Sequence, residues 1–144
     1  MSNLSNYLEN KLIDHLLRAT AYAVPTAIYV GLFTSPSSDA GPGTEPVGGG
    51  YARIQVGPSL SAWTATQGGV AGASTGTTGQ SQNAADITFP APTGNWGTIT
   101  HFALFDAVTA GNMLMQTALA VPKVVNSGDQ APKFPALGLS VTLD

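Results

Sequence analysis

The chain has 144 residues and a formal net charge of −3, and only 9% of it is Asp, Glu, Lys or Arg, against about 25% in an ordinary globular protein. Apolar residues make up 43%, with 17 Gly and 10 Pro, so small and uncharged polar residues replace the missing charge. Five basic residues spread along the chain form no phosphate-binding stripe, and zero Cys excludes a disulfide framework, Cys-ligated zinc and thiol catalysis.

No apolar run approaches the roughly 18 to 20 residues that span a bilayer. The N-terminus also lacks the unbroken apolar segment of a signal peptide. Nucleic acid and membrane are therefore not expected partners. A free monomer normally covers itself with a charged, mixed surface, and this chain has too few charges to do so. Much of its surface is expected to face other protein.

Residues 1–20 read as the one helix. Leu4, Leu8, Leu12, Ile13, Leu16 and Leu17 recur at three- and four-residue spacing. Ser2, Asn3 and Ser5 are candidate N-caps, Asp14 and Arg18 form an i,i+4 pair, and Thr20 is the expected end. The apolar arc covers more than half the circumference, which calls for cover on most sides.

After Pro25 the period changes. Residues 27–34 (AIYVGLFT) read as a buried strand and 51–56 as a second. The intervening 35–50 (SPSSDAGPGTEPVGGG) is a long exposed loop. Residues 64–86 are too poor in bulky side chains to build much core, with Trp63 on a short strand before them. Further strands are expected at 87–89, 97–106, 113–120, 123–125 and 137–143. Strict alternation in the 97–106 strand would set Ile99, His101, Ala103 and Phe105 on one face. Gly111 and Asn112 are suited to the positive φ of the hairpin turn that follows. The expected architecture is mainly β: a single domain over 1–144, with the helix at 1–20, a β-sandwich or jelly-roll-like body at 26–144, and long loops at 35–50 and 64–86.

Catalytic patterns are scarce. Gly72–Gly76 (GASTG) matches G-x-S-x-G, but a nucleophile elbow needs a strand before the Ser and a helix after it, and both flanks are Gly, Thr and Gln. His101 is expected to be a hydrogen-bonded structural group and His15 to serve in capping or at an interface. Neither His15 with Asp14 nor His101 with Asp106 has the spacing of a dyad. Asp39 and Glu45 share a loop without the pattern of a calcium site and read as solvated charges. No catalytic residue, metal site or cofactor is expected.

Several segments together carry a resemblance: Tyr7–His15 (YLENKLIDH), Ile28–Thr34 (IYVGLFT), Gly48–Arg53 (GGGYAR), Trp96–Asp106 (WGTITHFALFD) and Pro122–Asp129 (PKVVNSGD). The chain resembles a family of small virion structural proteins of tailed bacteriophages, commonly labelled tail-fibre proteins. The resemblance is collinear over most of the chain and weakest at 57–86. It implies a non-enzymatic assembly role in the virion, with assembly in the bacterial cytoplasm.

Size and the lack of a repeated shaft point first to a capsid decoration (cement) protein that binds the shell as a symmetric oligomer, a trimer. The alternative is a tail-fibre or tail-tip component for host adsorption, and a second alternative is a carbohydrate-binding module using Trp63 or Trp96. Expected partners are other copies of the chain and the major capsid or tail proteins. The expected contact residues are Leu8, Leu12 and Leu16 of the helix, Pro36, Pro42 and Pro46 of the first loop, and Arg53, Trp63 and Trp96. Arg53, Lys123 and Lys133 are candidates for rim salt bridges. The 64–86 segment is expected to order only on assembly.

Overall fold

The computed structural model describes residues 3–143. A two-residue strand, β1 (Asn3–Leu4), leads directly into helix α1 (Asn6–Leu17). Ser5 makes the switch. Its backbone is extended, its Oγ accepts from the Leu8 N–H at 3.2 Å, and the same hydroxyl donates to the Met113 carbonyl. One side chain thus caps the helix and fastens it to the sheet. Of the other candidate caps, Asn3 lies in β1 and Ser2 falls outside the described residues. The helix stops at Leu17, before the expected Thr20. Ala19 enters the left-handed region (φ 53°) and turns the Thr20 N–H back onto the Asp14 carbonyl at 3.0 Å.

The strands that follow are β2 (Tyr29–Phe33), β3 (Ile54–Gln55), β4 (Gln80–Gln82), β5 (Ile87–Thr88), β6 (Gly97–Phe105), β7 (Met113–Val125), β8 (Lys133–Phe134) and β9 (Ser140–Thr142). All named pairings are antiparallel. Five strands form one sheet in the order β1-β7-β6-β2-β3, while β4 with β9 and β5 with β8 form two-stranded ribbons. The fold is mainly β with a single N-terminal helix, as the sequence pattern predicts.

The main core lies between the sheet and the ribbons. Val30 and Leu32 of β2, Phe102 and Leu104 of β6, and Leu114 of β7 meet Ile87, Phe89, Leu139 and Val141, with Leu8 joining from the helix. Each such burial is worth about 1.5–3 kcal/mol. The opposite sheet face carries a smaller cluster of Phe33, Ala103, Phe105 and Met113.

Alternation along β6 does not run unbroken. Ile99 belongs to the main core with Phe102 and Leu104, while Ala103 and Phe105 face the other way, so Ile99 does not share a face with Phe105. The cause is a bulge: Ile99 pairs with Lys123 but His101 with Ala118, so Leu119–Pro122 of β7 face Thr100 alone. Pro122 sits where no ladder bond is required of it, and 123–125 is the far end of β7 rather than a separate strand.

The β6–β7 turn puts Ala110 (φ 51°) and Gly111 (φ 69°) at positive φ, one residue earlier than the expected Gly111–Asn112 pair. Asn112 is held instead by Asp106, whose carboxylate accepts from the Asn112 N–H at 2.7 Å and Nδ2 at 2.8 Å. A Cβ on Gly111 would lie 2.5 Å from the Ala107 Cβ, which restricts that position to Gly.

Candidate functional site

The long 35–50 loop is anchored from within by a buried polar knot. Tyr51 and Arg53, two residues apart, both reach Glu45. The Arg53 Nε donates to both Glu45 carboxylate oxygens at 3.1 and 3.0 Å, and Nη2 donates to Oε1. Arg53 Nη1 donates to the carbonyls of Ala107 and Ala110 at 2.8 and 2.9 Å, and the guanidinium lies 3.4 Å from the Phe105 ring centroid. The Tyr51 hydroxyl donates to Glu45 Oε2 at 2.7 Å and accepts from the Leu32 N–H at 2.9 Å. Burial, with the Glu45 carboxylate beside it, pushes the Tyr51 phenol well above its ordinary value of 10.

This arrangement corrects two expectations. Glu45 is a bonded, half-buried group and not a solvated loop charge, and Arg53 is buried and not a rim cation. Bidentate geometry of this kind suits Arg and would not survive exchange for Lys. The knot ties the loop, the chain around β3 and the β6–β7 turn together.

Both tryptophans are internal anchors. Trp96 is buried and its Nε1 donates to the Gly49 carbonyl at 2.7 Å. There the backbones of Gly49 and Gly94 approach so closely that a Cβ on Gly49 would lie 2.9 Å from the Gly94 carbonyl oxygen. Trp63, half-buried, donates to the Val56 carbonyl at 2.9 Å and makes a single bridge to Asn83 in place of the expected short strand. Trp63 also lines an apolar cleft of about 410 Å³ with Ile28, Leu104, Leu114 and Val141.

Of the nine expected contact residues, Leu8, Pro46, Arg53 and Trp96 are largely buried within the chain. Leu12 and Trp63 are half-buried, while Leu16, Pro36 and Pro42 are exposed. Lys133 pairs with Asp86 at 2.7 Å, and this contact with the Ala136 N–H holds the Asp86 carboxyl below its usual range.

The remaining polar chemistry is structural in geometry. Ser74 of the GASTG stretch accepts from the Thr66 N–H at 3.3 Å within a loop that precedes β4. His15 Nδ1 accepts from the Tyr22 N–H at 3.1 Å, and His101 Nδ1 lies 2.8 Å from the Thr100 hydroxyl. Among the described residues, no group of three or more His, Asp or Glu stands where it could hold a metal ion.

Large apolar side chains stand among the exposed residues. Ile13, Leu16 and Leu17 crown the outer half of α1, with the two leucines 74% and 80% exposed, and Val24 follows them. Val47 and Val108 flank the knot, and Val121, Val124 and Leu137 are exposed on β7 and after β8. The helix pattern could have foretold the first group, because a single helix cannot bury so wide an arc against one sheet.

A β-rich chain with internal polar groups engaged in holding loops, and large apolar side chains left outside, has the construction of an assembly component. Over residues 3–142 it matches the family described as podophage GP4 fiber I protein gp80, and the chain belongs to that family. It is a bacteriophage structural protein of the tail-fibre type, and its place is in the phage particle. No curated protein matches it.

Proposed function

We propose that the chain is a non-enzymatic component of a tail fibre, holding its place by burying uncovered apolar side chains against other copies of itself and against neighbouring tail proteins. The carrying observation is the pairing of 9% charged residues with exposed Leu16, Leu17, Val24, Val47 and Val121. Such side chains, when grouped, mark protein–protein contact. They come from α1, the segment after it, the 35–50 loop and β7, which suits a subunit with more than one neighbour, a trimer included. Family membership supports the fibre reading over capsid decoration.

Capsid decoration keeps one supporting observation: the described residues contain no repeated shaft. The carbohydrate-binding reading has less support, since Trp96 is buried and Trp63 carries its polar edge inward. Gold-labelled antibody raised against the chain, applied to intact particles, tests the assignment. Label is expected at the tail, with the band on a stained gel of purified particles corresponding to tens of copies at most. Label spread over the head would overturn the fibre reading in favour of decoration.

A further inference from the structure

We infer that copies of this chain join head to tail, the outer face of α1 on one copy seating in the apolar cleft beside the β7 bulge on the next. This rests on the self-association proposed above and names the two surfaces that perform it. The donor face follows from helix geometry: Glu9, Ile13 and Leu16 recur at four and three residues and share one stripe, flanked by Leu17. These leucines are the most exposed in the described chain, and nothing within it covers them.

The receiving cleft has a volume of about 280 Å³ and is walled by Leu32, Phe89, Ile99, Leu119 and Phe134. An apolar cavity of about 150 Å³ already holds a benzene molecule, so this one has room for leucyl side chains. The two surfaces lie toward opposite ends of β7. Ser5 fastens the helix at Met113, whereas residues 119–123 line the cleft.

The charges are complementary as well. Among the described residues Lys123 is the one Lys or Arg with neither an ion pair nor a ring contact. Arg18 pairs with Asp14, Arg53 with Glu45 and Lys133 with Asp86, and Lys11 lies over Tyr7. Lys123 stands on the wall of the cleft. Glu9, on the same stripe as Ile13 and Leu16, has no cationic partner in the described chain. An apolar knob bearing a free carboxylate therefore meets an apolar recess bearing a free ammonium, an arrangement that selects register and orientation. Because knob and recess are different patches, the contact is heterologous: it closes into a ring if the rotation between copies permits and otherwise continues as a filament.

Sedimentation and light scattering on the full chain test this with two blocked variants, Leu16→Glu with Leu17→Glu on the helix and Val121→Glu with Lys123→Glu at the cleft. All four positions are exposed, and an unchanged circular dichroism spectrum and Tm certify the fold. The unaltered chain is expected to gain mass with concentration, and each variant alone to remain a single copy. An equimolar mixture of the two is expected to stop at a dimer, because one variant retains the recess and the other the knob. Glu9→Lys or Lys123→Glu alone should weaken association on the order of tenfold, with the double reversal restoring it. If the unaltered chain associates but neither variant weakens it, or the mixture forms no dimer, the knob-and-recess contact is overturned while self-association stands. If the unaltered chain stays a single copy at every concentration, both readings fall.

Discussion

The 35–50 loop and the 64–86 segment are both long, both rich in Gly, Ser and Thr, and held by opposite means. The first is gathered at one buried point, where Glu45 meets Arg53 and Tyr51. The second is stitched along its length by neutral side chains bonded to backbone. Thr66 Oγ1 accepts from the Gly76 N–H at 2.9 Å, the Thr78 hydroxyl donates to the Thr66 carbonyl at 2.8 Å, and Gln67 bonds to both Ala73 and Thr75. Such bonds are worth about 0.5–1.5 kcal/mol each, whereas an interrupted buried ion pair costs about 3–5 kcal/mol. A segment short of bulky residues can therefore be ordered either at a single fragile point or by many replaceable ties.

Arg53→Ala attacks the fragile point and carries the largest expected effect. It leaves Glu45 without its cation, at a cost of about 3 kcal/mol; the low end applies because the Glu45 side chain is 24% exposed. Urea unfolding measures it, and a loss under about 1 kcal/mol would erase the contrast between the two segments.

Asn83→Ala comes next and sharpens the comparison, because at Asn83 the second segment is held like the first, by a fully buried polar side chain. Its buried Nδ2 donates to the carbonyls of Ala85 and Pro135, and its Oδ1 accepts from the Leu139 N–H, all at 2.8 Å. Removing that side chain strands the buried Leu139 N–H and takes a bond from the carbonyls of Ala85 and Pro135, which should cost about 2 kcal/mol by the same measurement.

Tyr51→Phe should cost about 1–2 kcal/mol at neutral pH, through the lost bond to Glu45 and the stranded Leu32 N–H. It also has a pH signature. Burial raises the phenol's folded-state pKa above the ordinary 10, so its contribution is full below pH 10 and lost as pH rises beyond it. Unfolding curves between pH 9 and 11 should show stability falling for the unaltered chain and a flatter profile for the variant. The smallest effect is expected from Ser74→Ala, at most about 0.5 kcal/mol, with amide exchange faster at Thr66 and unchanged in β6.

The elements with strong patterns were legible before the structure. β2 is apolar apart from Gly31, β6 is rich in β-branched and aromatic residues, and α1 has its 3–4 spacing. The β4 strand was not: Gln80–Gln82 carries no apolar residue and is strand only because Gln80–Gln82 pairs with Ser140–Thr142. The two-residue β1 and β8 are likewise consequences of tertiary pairing, which no local pattern encodes.

The exposed apolar face of α1 was half legible. A low charge content and a wide apolar arc pointed to the helix, and the exposed Leu16 and Leu17 follow from that arc. Which leucines turn inward depends on where Ser5 docks at Met113, a long-range bond. The ion pair was missed because Glu45 lies in a stretch of Pro and Gly that reads as solvent-facing. The one signal for it was Tyr51 and Arg53 on the same side of an extended segment, a charge placed beside core.

The two ends of the large sheet bear on how such a chain avoids sticking to its copies in the wrong way. β1 and β3, at its borders, are each two residues long. Further along β7 the bulge, Pro122 and Lys123 interrupt regular pairing. Short borders, proline, irregular pairing and lysine are the devices that deny a foreign strand a template. In a crowded particle they steer the chain away from amyloid-like backbone ladders, so that any contact with a neighbour must be made by side chains whose shapes discriminate.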